Sequence, residues 1–398
     1  MDFNLSEEHE LFRKSVKEFM DKNLRPIARQ IDDKEYIPDE LIKKMAQQQL
    51  LGITIPEEYG GPGGDVTMAT LAVIEVGRAD ISMGSAVFTL LINGWSHIFE
   101  KWGNNKAKEE ILPKVVKGEA FMGIATTEAC GGSDILGTKC EAKKVGNEFH
   151  INGEKSFISG IKESQRMGGG HITIFWTNKP AGHKGMTFAY VPLNAKGIQT
   201  TVYKDMGRMG LSTGGITYDN TPIPEHYVMG EVNKGFYVLM DGFNAARVLV
   251  SAACIGAAER TLELGIEYIK TRVLFGKPIA TFEGIQFELA ELYAQIEMAK
   301  MMVMKAAWYA DNFKKLDKSQ ISDYTKTVAI AKLYAPQVAF DVSRKVMNWY
   351  GAAGYTKELE IEMGFRGITS YVVGAEGALN IMRVILGREL LGKEFKPY

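Results

Sequence analysis

The sequence predicts an α+β chain in three successive parts: helical, then β, then helical again. Three observations carry this. Apolar residues recur at three- and four-residue spacing up to about residue 118. Short β-branched or aromatic runs, separated by Gly, Asn and Pro, fill 121–230. Long amphipathic stretches return from Gly235. The parts are set at 1–120 (N-terminal helical domain), 121–230 (middle antiparallel β domain) and 231–398 (C-terminal helical domain). A chain of 398 residues is long enough for two or three packed units around a large core.

Residues 1–55 read as helices. Leu5, Leu11, Phe12, Val16, Phe19 and Met20 form an apolar stripe, Ser6-Glu7-Glu8 is a helix start, and Pro26 and Pro38 mark breaks. Ile55-Pro56-Glu57-Glu58-Tyr59-Gly60-Gly61 is a turn by its Pro and paired Gly. Helix resumes over 66–118, most apolar from Ile81 to Phe99. In the middle part, Phe149–Gly153, Ile172–Trp176, Met186–Val191 and Ile216–Tyr218 read as strands, and Arg166–Gly170 as a flexible loop. Beyond Gly235, residues 284–348 are amphipathic helices rich in Ala and Met (Met298, Met301, Met302, Met304). We read these as core and subunit interface rather than a cofactor box.

Opposite charges nearly cancel, leaving a net −1, so no polyanion-binding field and no nucleic-acid partner are expected. No segment reads as a membrane span of about 20 apolar residues. Met1-Asp2-Phe3-Asn4 has neither the basic nor the apolar region of a signal peptide. Cys130, Cys140 and Cys254 are odd in number and lack CxxC spacing, which supports neither a disulfide framework nor a metal site. These features point to a cytoplasmic protein.

The stretch Gly123–Asp134 stands out at the junction of the first two parts. Small residues, the hydroxyls of Thr127 and Ser133 and a Gly pair let backbone N–H groups approach a ligand closely. Thr127-Glu128, followed by Gly132-Ser133-Asp134 and Gly137, resembles the first signature of the acyl-CoA dehydrogenase family. Thr126 and Ala129 depart from it. The resemblance extends over nearly the whole chain, through the Pro56–Gly61 turn, Asn152–Gly160, Asn244–Arg247, Arg272–Ile279, Asn348–Glu358 and Gly374–Ile381.

The resemblance implies an N-terminal helical domain, a middle β domain and a C-terminal four-helix bundle, usually as a homotetramer. It also implies FAD as cofactor, an acyl-CoA substrate and an electron-transfer flavoprotein as partner. Ile124, Thr126, Thr127, Gly132 and Ser133 would contact the flavin, Ser133 also the substrate. Phe157 would shield the flavin where Trp is usual, and Ser159 would reach N5 where Thr is usual. Arg247 and Asn244, at a DxxR position, would hold coenzyme A. Arg272, Phe275 and Gln286 would reach a neighbouring subunit's cofactor, with Glu283 standing where Gln is usual. Asn348, Gly351 and Ala352 belong to the second signature, which departs at Asn348, Ala352, Met363 and Gly367 and keeps Arg366. Around Met206–Ser212 the family spacing is not kept, and no contact is carried over.

The reaction implied needs a base for the α-proton of a thioester and a hydride acceptor for the β-hydrogen. A carboxylate can serve only if it is desolvated and the enolate is stabilised. The resemblance implies Glu376 as that base, with Gly377 against the substrate and Asn380 against the flavin. Ala375 and Ala378 replace a usual Tyr and Thr, and Arg366 to Glu376 is one residue longer than in the family. Ala246 excludes an alternative position of the base. Ala86 and Val87 would wall the acyl cavity. No charged residue falls between Ser82 and Ser96, which favours an uncharged acyl group. Three other readings remain: an enoyl-CoA reductase on the same scaffold, a flavin-dependent oxidase or monooxygenase of related fold, and a non-catalytic acyl-CoA-binding relative. No Gly-rich nicotinamide fingerprint is present, so NAD is not expected as direct acceptor.

Overall fold

The computed structural model describes residues 4–395. Met1–Phe3, part of the N-terminal reading above, and the outer ends of the first and third expected domains lie outside the described residues. The first part folds as α1 (Glu7–Asn23), α2 (Ala28–Lys34), α3 (Asp39–Gln47), α4 (Val66–Ala79), α5 (Gly84–Trp102) and α6 (Asn105–Val116). The Ser6 hydroxyl accepts from His9 N and three acids fill the first turn of α1, as a helix N-terminus favours. Pro26 sits in the break before α2 and Pro38 caps α3. The start of α5 is held by Asp80, whose buried carboxylate accepts from Ser82 N, Ser82 Oγ and Ser85 N.

The middle part is one seven-stranded sheet. Its elements are β1 (Phe121–Ala125), β2 (Glu141–Val145), β3 (Glu148–Ser159), α7 (Ile161–Met167), β4 (Gly169–Trp176), β5 (Met186–Pro192), β6 (Ile198–Val202) and β7 (Thr213–Pro224). The order is β1-β4-β2-β3-β7-β6, with β5 on the other edge of β4. Antiparallel pairing dominates (β2/β3, β3/β7, β4/β5, β6/β7), but β1 pairs β4 in parallel from Phe121↔Gly169 to Ala125↔Thr173. The expected loop Arg166–Gly170 is corrected. Arg166 and Met167 end α7, and Gly169 and Gly170 open β4, where a Cβ on Gly169 would lie 2.1 Å from the Phe121 carbonyl oxygen.

The third part contains α8 (Gly235–Thr271), a hairpin of β8 (Val273–Leu274) and β9 (Lys277–Pro278), α9 (Glu283–Asp311), α10 (Lys318–Tyr350), α11 (Ala352–Tyr355), α12 (Ile361–Val373) and α13 (Leu379–Leu391). In this bundle α10 packs against α8, α9, α12 and α13. The reading that no segment resembles a membrane span passed over α8, which is long and apolar enough to cross one. Its most apolar window is 83% buried inside the protein, so it is the central core helix.

One hydrophobic core joins the three parts, taking in Leu90 and Trp95 of α5, Phe188 and Tyr190 of β5, and Leu249 and Ile255 of α8. The β6–β7 loop is clamped between the two helical parts. A Cβ at Gly207 would lie 2.4 Å from the Arg366 carbonyl carbon, and one at Gly367 would lie 2.1 Å from the Ser82 carbonyl oxygen. Arg366 ties all three parts together: it donates to Asp32 Oδ2 (2.5 Å) of α2, Glu362 Oε2 (2.6 Å) of α12 and Met206 O (3.0 Å) of the loop. Asp32 and Glu362 are buried, so losing the guanidinium leaves two carboxylates short of a counter-charge. Arg366→Met is expected to lower stability by about 2–4 kcal/mol, read as a shifted urea midpoint. A midpoint at the wild-type value would show that the joint is not needed.

Candidate active site

The loop from Gly374 to Ala378 joins α12 to α13 and carries Glu376. Ala375 (φ 59°), Glu376 (φ 48°) and Gly377 (φ 105°) are successive left-handed residues. Each non-Gly residue there costs about 1–2 kcal/mol. Helix α12 runs unbroken from Arg366 to Val373. Between Arg366 and Glu376 the irregular backbone is therefore confined to this turn.

Glu376 as a whole is half-buried, but its Oε2 is enclosed and has no hydrogen-bond partner. Burial pushes this carboxyl above the ordinary carboxylate range, and the charges of Lys332, Arg208 and Arg247 only partly pull it back. Arg247, buried on α8, donates from Nε to the Glu376 carbonyl (2.9 Å) and from Nη1 to Asn244 Oδ1 (3.2 Å). Burial lowers this guanidinium to about 10, with Glu376 opposing the shift. Gly377 lies against it: a Cβ there would be 3.4 Å from Arg247 Nη2.

Two residues outside the expected set complete the cluster. Arg208, from the β6–β7 loop, donates to Thr213 Oγ1 (3.2 Å) and to Ser159 Oγ (3.5 Å), faces Tyr371 and Glu376, and has an enclosed Nε without partner. Lys332, fully buried on α10, donates to the carbonyls of Tyr371 (3.2 Å) and Gly374 (3.3 Å). Neither carries a signal in the local pattern. Lys332 reads as one charge on an amphipathic helix, and Arg208 falls where the family spacing fails.

The Gly123–Asp134 strip is nailed to β3. Glu128, buried, accepts from Lys155 Nζ (2.9 Å), Lys139 N (2.6 Å) and Cys140 N (3.1 Å), while Lys155 also donates to Thr126 O (3.1 Å). Ser156 N donates to Thr127 O at 2.9 Å. This leaves Ile124, Thr126 and Thr127 half-buried and Gly132 and Ser133 exposed at the surface. Phe157 presents a ring that is 67% exposed from a backbone at φ 60°, with Tyr203 edge-on at 5.5 Å. Ser159 is held from behind by buried His171, whose Nε2 meets the Ser159 carbonyl at 2.9 Å. Burial lowers that imidazole to about 4, so it is neutral, and Nε2–H is the donor.

Ser159, Arg208, Glu376, Gly377, Arg247 and Asn244 thus form one connected cluster, with Phe157 and the strip beside it. Ala86 and Val87 are in the main core, fully enclosed, as are Phe88 and Trp95. Asn380, exposed in the first turn of α13, accepts from Arg383 (2.7 Å). The remaining expected cofactor residues are elsewhere. Arg272, Phe275, Gln286, Asn348, Gly351 and Ala352 are all exposed at the far end of the bundle, where Tyr268 stacks on Tyr350 at 3.9 Å. Arg247 and Arg272 lie about 37 Å apart along α8, so one chain does not bring the two groups together. Among the described residues no group of three His, Cys, Asp or Glu could hold a metal ion.

Models of the acyl-CoA dehydrogenase N-terminal, middle and C-terminal domains match residues 6–119, 123–221 and 233–391. The chain is 33% identical to a probable acyl-CoA dehydrogenase, YngJ, of Bacillus subtilis over 393 residues, 98% of this chain and 100% of that one. It is also 33% identical to the acryloyl-CoA reductase (NADH) of Anaerotignum propionicum, over 98% and 96% of the two chains. Butyryl-CoA dehydrogenase from Megasphaera elsdenii superposes with a TM-score of 0.90 at 29% identity, covering 98% of this chain and 100% of that one. Family models spanning all three parts and relatives matched end to end leave one conclusion: the chain belongs to the acyl-CoA dehydrogenase family, FAD-dependent oxidoreductases acting on CH–CH bonds.

Proposed function

We propose that the chain desaturates an acyl-CoA thioester to its trans-2-enoyl-CoA, with Glu376 as base. The observation that carries this is the enclosed, unpartnered Glu376 Oε2 on a turn gripped by Arg247 and faced by Arg208, which also reaches Ser159. A carboxylate kept from water and free of hydrogen-bond donors is a stronger base than one in solution, and its raised pKa suits proton abstraction. FAD supplies the acceptor for the β-hydride.

The residues fit a flavin. Phe157 offers an uncovered ring face, Ser159 a hydroxyl, and the strip from Ile124 to Ser133 exposed amides and hydroxyls beside it. Asn244 and Arg247 would bind the coenzyme A portion, and Gly377 would let the thioester approach the base. Asn380 would meet the flavin beyond the turn. Ala86 and Val87, enclosed in the core, would wall an acyl cavity from behind, and the lack of a charged residue between Ser82 and Ser96 favours an uncharged acyl group. Three cations from other segments, Lys332, Arg208 and Arg247, face Glu376, and the charge of Arg208 is partly met by Asp205, 3.8 Å away.

Homotetramer assembly belongs to the same proposal. The exposed set of Arg272, Phe275, Gln286, Asn348, Gly351 and Ala352 would complete a neighbour's cofactor site. An electron-transfer flavoprotein would take the electrons, in the cytoplasm, where three free thiols are at home. The domain division at 120 and 230 stands with it.

The test is anaerobic titration of the purified yellow protein with a panel of saturated acyl-CoA thioesters. Bleaching by one class is expected and would name the substrate; no bleaching by any of them would overturn the reading. The relative named acryloyl-CoA reductase supports the reverse direction as the second reading. A ligand-bound flavin potential too low for enoyl-CoA formation would favour it.

A further inference from the structure

Lys332 is a lysine with no exposed surface, and among the described residues no carboxylate lies within ion-pair distance of its ammonium. Burial of such a charge is costly unless it is hydrogen-bonded and faces an opposite charge. Its two hydrogen bonds go to Tyr371 O and Gly374 O, carbonyls at the C-terminal end of α12. A helix leaves its last carbonyls unpaired and its C-terminus partly negative, so the ammonium satisfies one need and offsets the other. These carbonyls lie at the near end of the bulged turn that begins at Ala375. The groups facing the ammonium are Glu376, Arg247 and Cys254 of α8. Those facing Glu376 are Lys332, Arg208, Arg247 and the Tyr371 hydroxyl. The one carboxylate facing Lys332 is therefore the enclosed one.

We infer that Lys332 is a positioning residue for Glu376, anchoring the end of α12 from which the strained turn springs and presenting its ammonium to the carboxylate. The inference rests on Glu376 being the base. It assigns a division of labour: Arg247 grips the turn from the Glu376 carbonyl, while Lys332 grips it two residues earlier and from a different helix. With the ammonium gone, the turn loses its anchor at Gly374, and ionising Glu376 becomes harder because only the two guanidinium groups still favour the charged form.

The test compares Lys332→Arg, Lys332→Gln and Lys332→Met, each checked for flavin content and circular dichroism, by the pH profile of kcat/KM. Glutamine keeps a donor without the charge; arginine keeps the charge. The acid limb, which reports ionisation of the base, is expected to move to higher pH by about one unit or more in Lys332→Gln and Lys332→Met. In Lys332→Arg it should return to within about half a unit of wild type. A wild-type limb in Lys332→Gln would overturn the inference. So would failure of both neutral variants to fold while Lys332→Arg folds, because the lysine would then be needed only for structure. Glu376→Gln separates the two failures. If that variant turned over normally, the base assignment itself would fall; if it were dead while the Lys332 variants kept the wild-type limb, only the positioning role would.

Discussion

Glu376→Gln will bind FAD as the wild type does and lose turnover by about 10²–10⁴-fold. The amide keeps the size of the side chain and the hold on the turn, because Arg247 grips the Glu376 backbone carbonyl rather than its carboxylate. Only the capacity to accept the α-proton is removed. Stopped-flow reduction with the thioester that bleaches the wild type is the measurement, and a wild-type rate would sink the assignment. The same variant should be more stable than wild type at neutral pH. The folded-state pKa of Glu376 is raised, so between the unfolded value and the folded one the folded protein holds more protons. Its stability then falls as pH rises through that window and stays lower above it. Gln has no such loss. The gain in thermal midpoint should be present at pH 7 and vanish near pH 4. A site that gives up stability for reactivity behaves this way.

Glu128→Gln is expected to cost about 3–5 kcal/mol, because it leaves Lys155 charged and buried with no counter-ion. The reverse change, Lys155→Met, should cost a similar amount by stranding the carboxylate. Combining the two should recover part of the loss, since a buried pair replaced as a unit leaves no orphan. Burial alone would raise the Glu128 pKa. The Lys155 charge and hydrogen bond, with the amides of Lys139 and Cys140, outweigh it and hold the carboxyl below its ordinary value. This stabilisation is present above the unfolded carboxylate pKa and is lost as pH falls through the folded one. The wild type should therefore lose more stability on acidification than the double variant. Flavin affinity should fall with the single variants, because Thr126 and Thr127 depend on this pair for their position. Urea unfolding at several pH values decides it, and additive single-variant losses would contradict a coupled pair.

Local chemistry makes much of the molecule legible in its sequence. Ser6 and its following acids start α1, Pro38 precedes α3, and the uninterrupted apolar run of α5 is buried as its composition demands. Strands β3, β4, β5 and β7 are legible from their β-branched and aromatic runs, β4 and β5 being buried along nearly their whole length. Others are not. β2 is Glu-Ala-Lys-Lys-Val with only Ala142 buried and Val145 exposed, so no apolar run marks it. β1 pairs in parallel with a strand more than forty residues away, and periodicity carries no information about such partners. The site divides along the same line. Glu376 and Arg247 lie in segments whose residue pattern resembles the family. Arg208, Lys332 and Tyr371 acquire meaning only because a loop and two helices bring them to Glu376. A single sequence without long-range pairing does not reveal such a meeting.

The glycine-mediated joints bear on kinetics. At Gly207 and Gly367 main chain rests on main chain, with no side chain between to rearrange, and the core continues unbroken behind them. Packed surfaces of this kind switch between discrete arrangements or not at all. Opening the β6–β7 loop from α12, or α12 from the N-terminal helices, would mean separating those contacts and wetting that core. Ligand entry is then expected by side-chain and solvent displacement, which at exposed residues takes picoseconds to nanoseconds. Binding transients should follow a single exponential whose rate rises linearly with ligand concentration, without a plateau from a slow isomerisation.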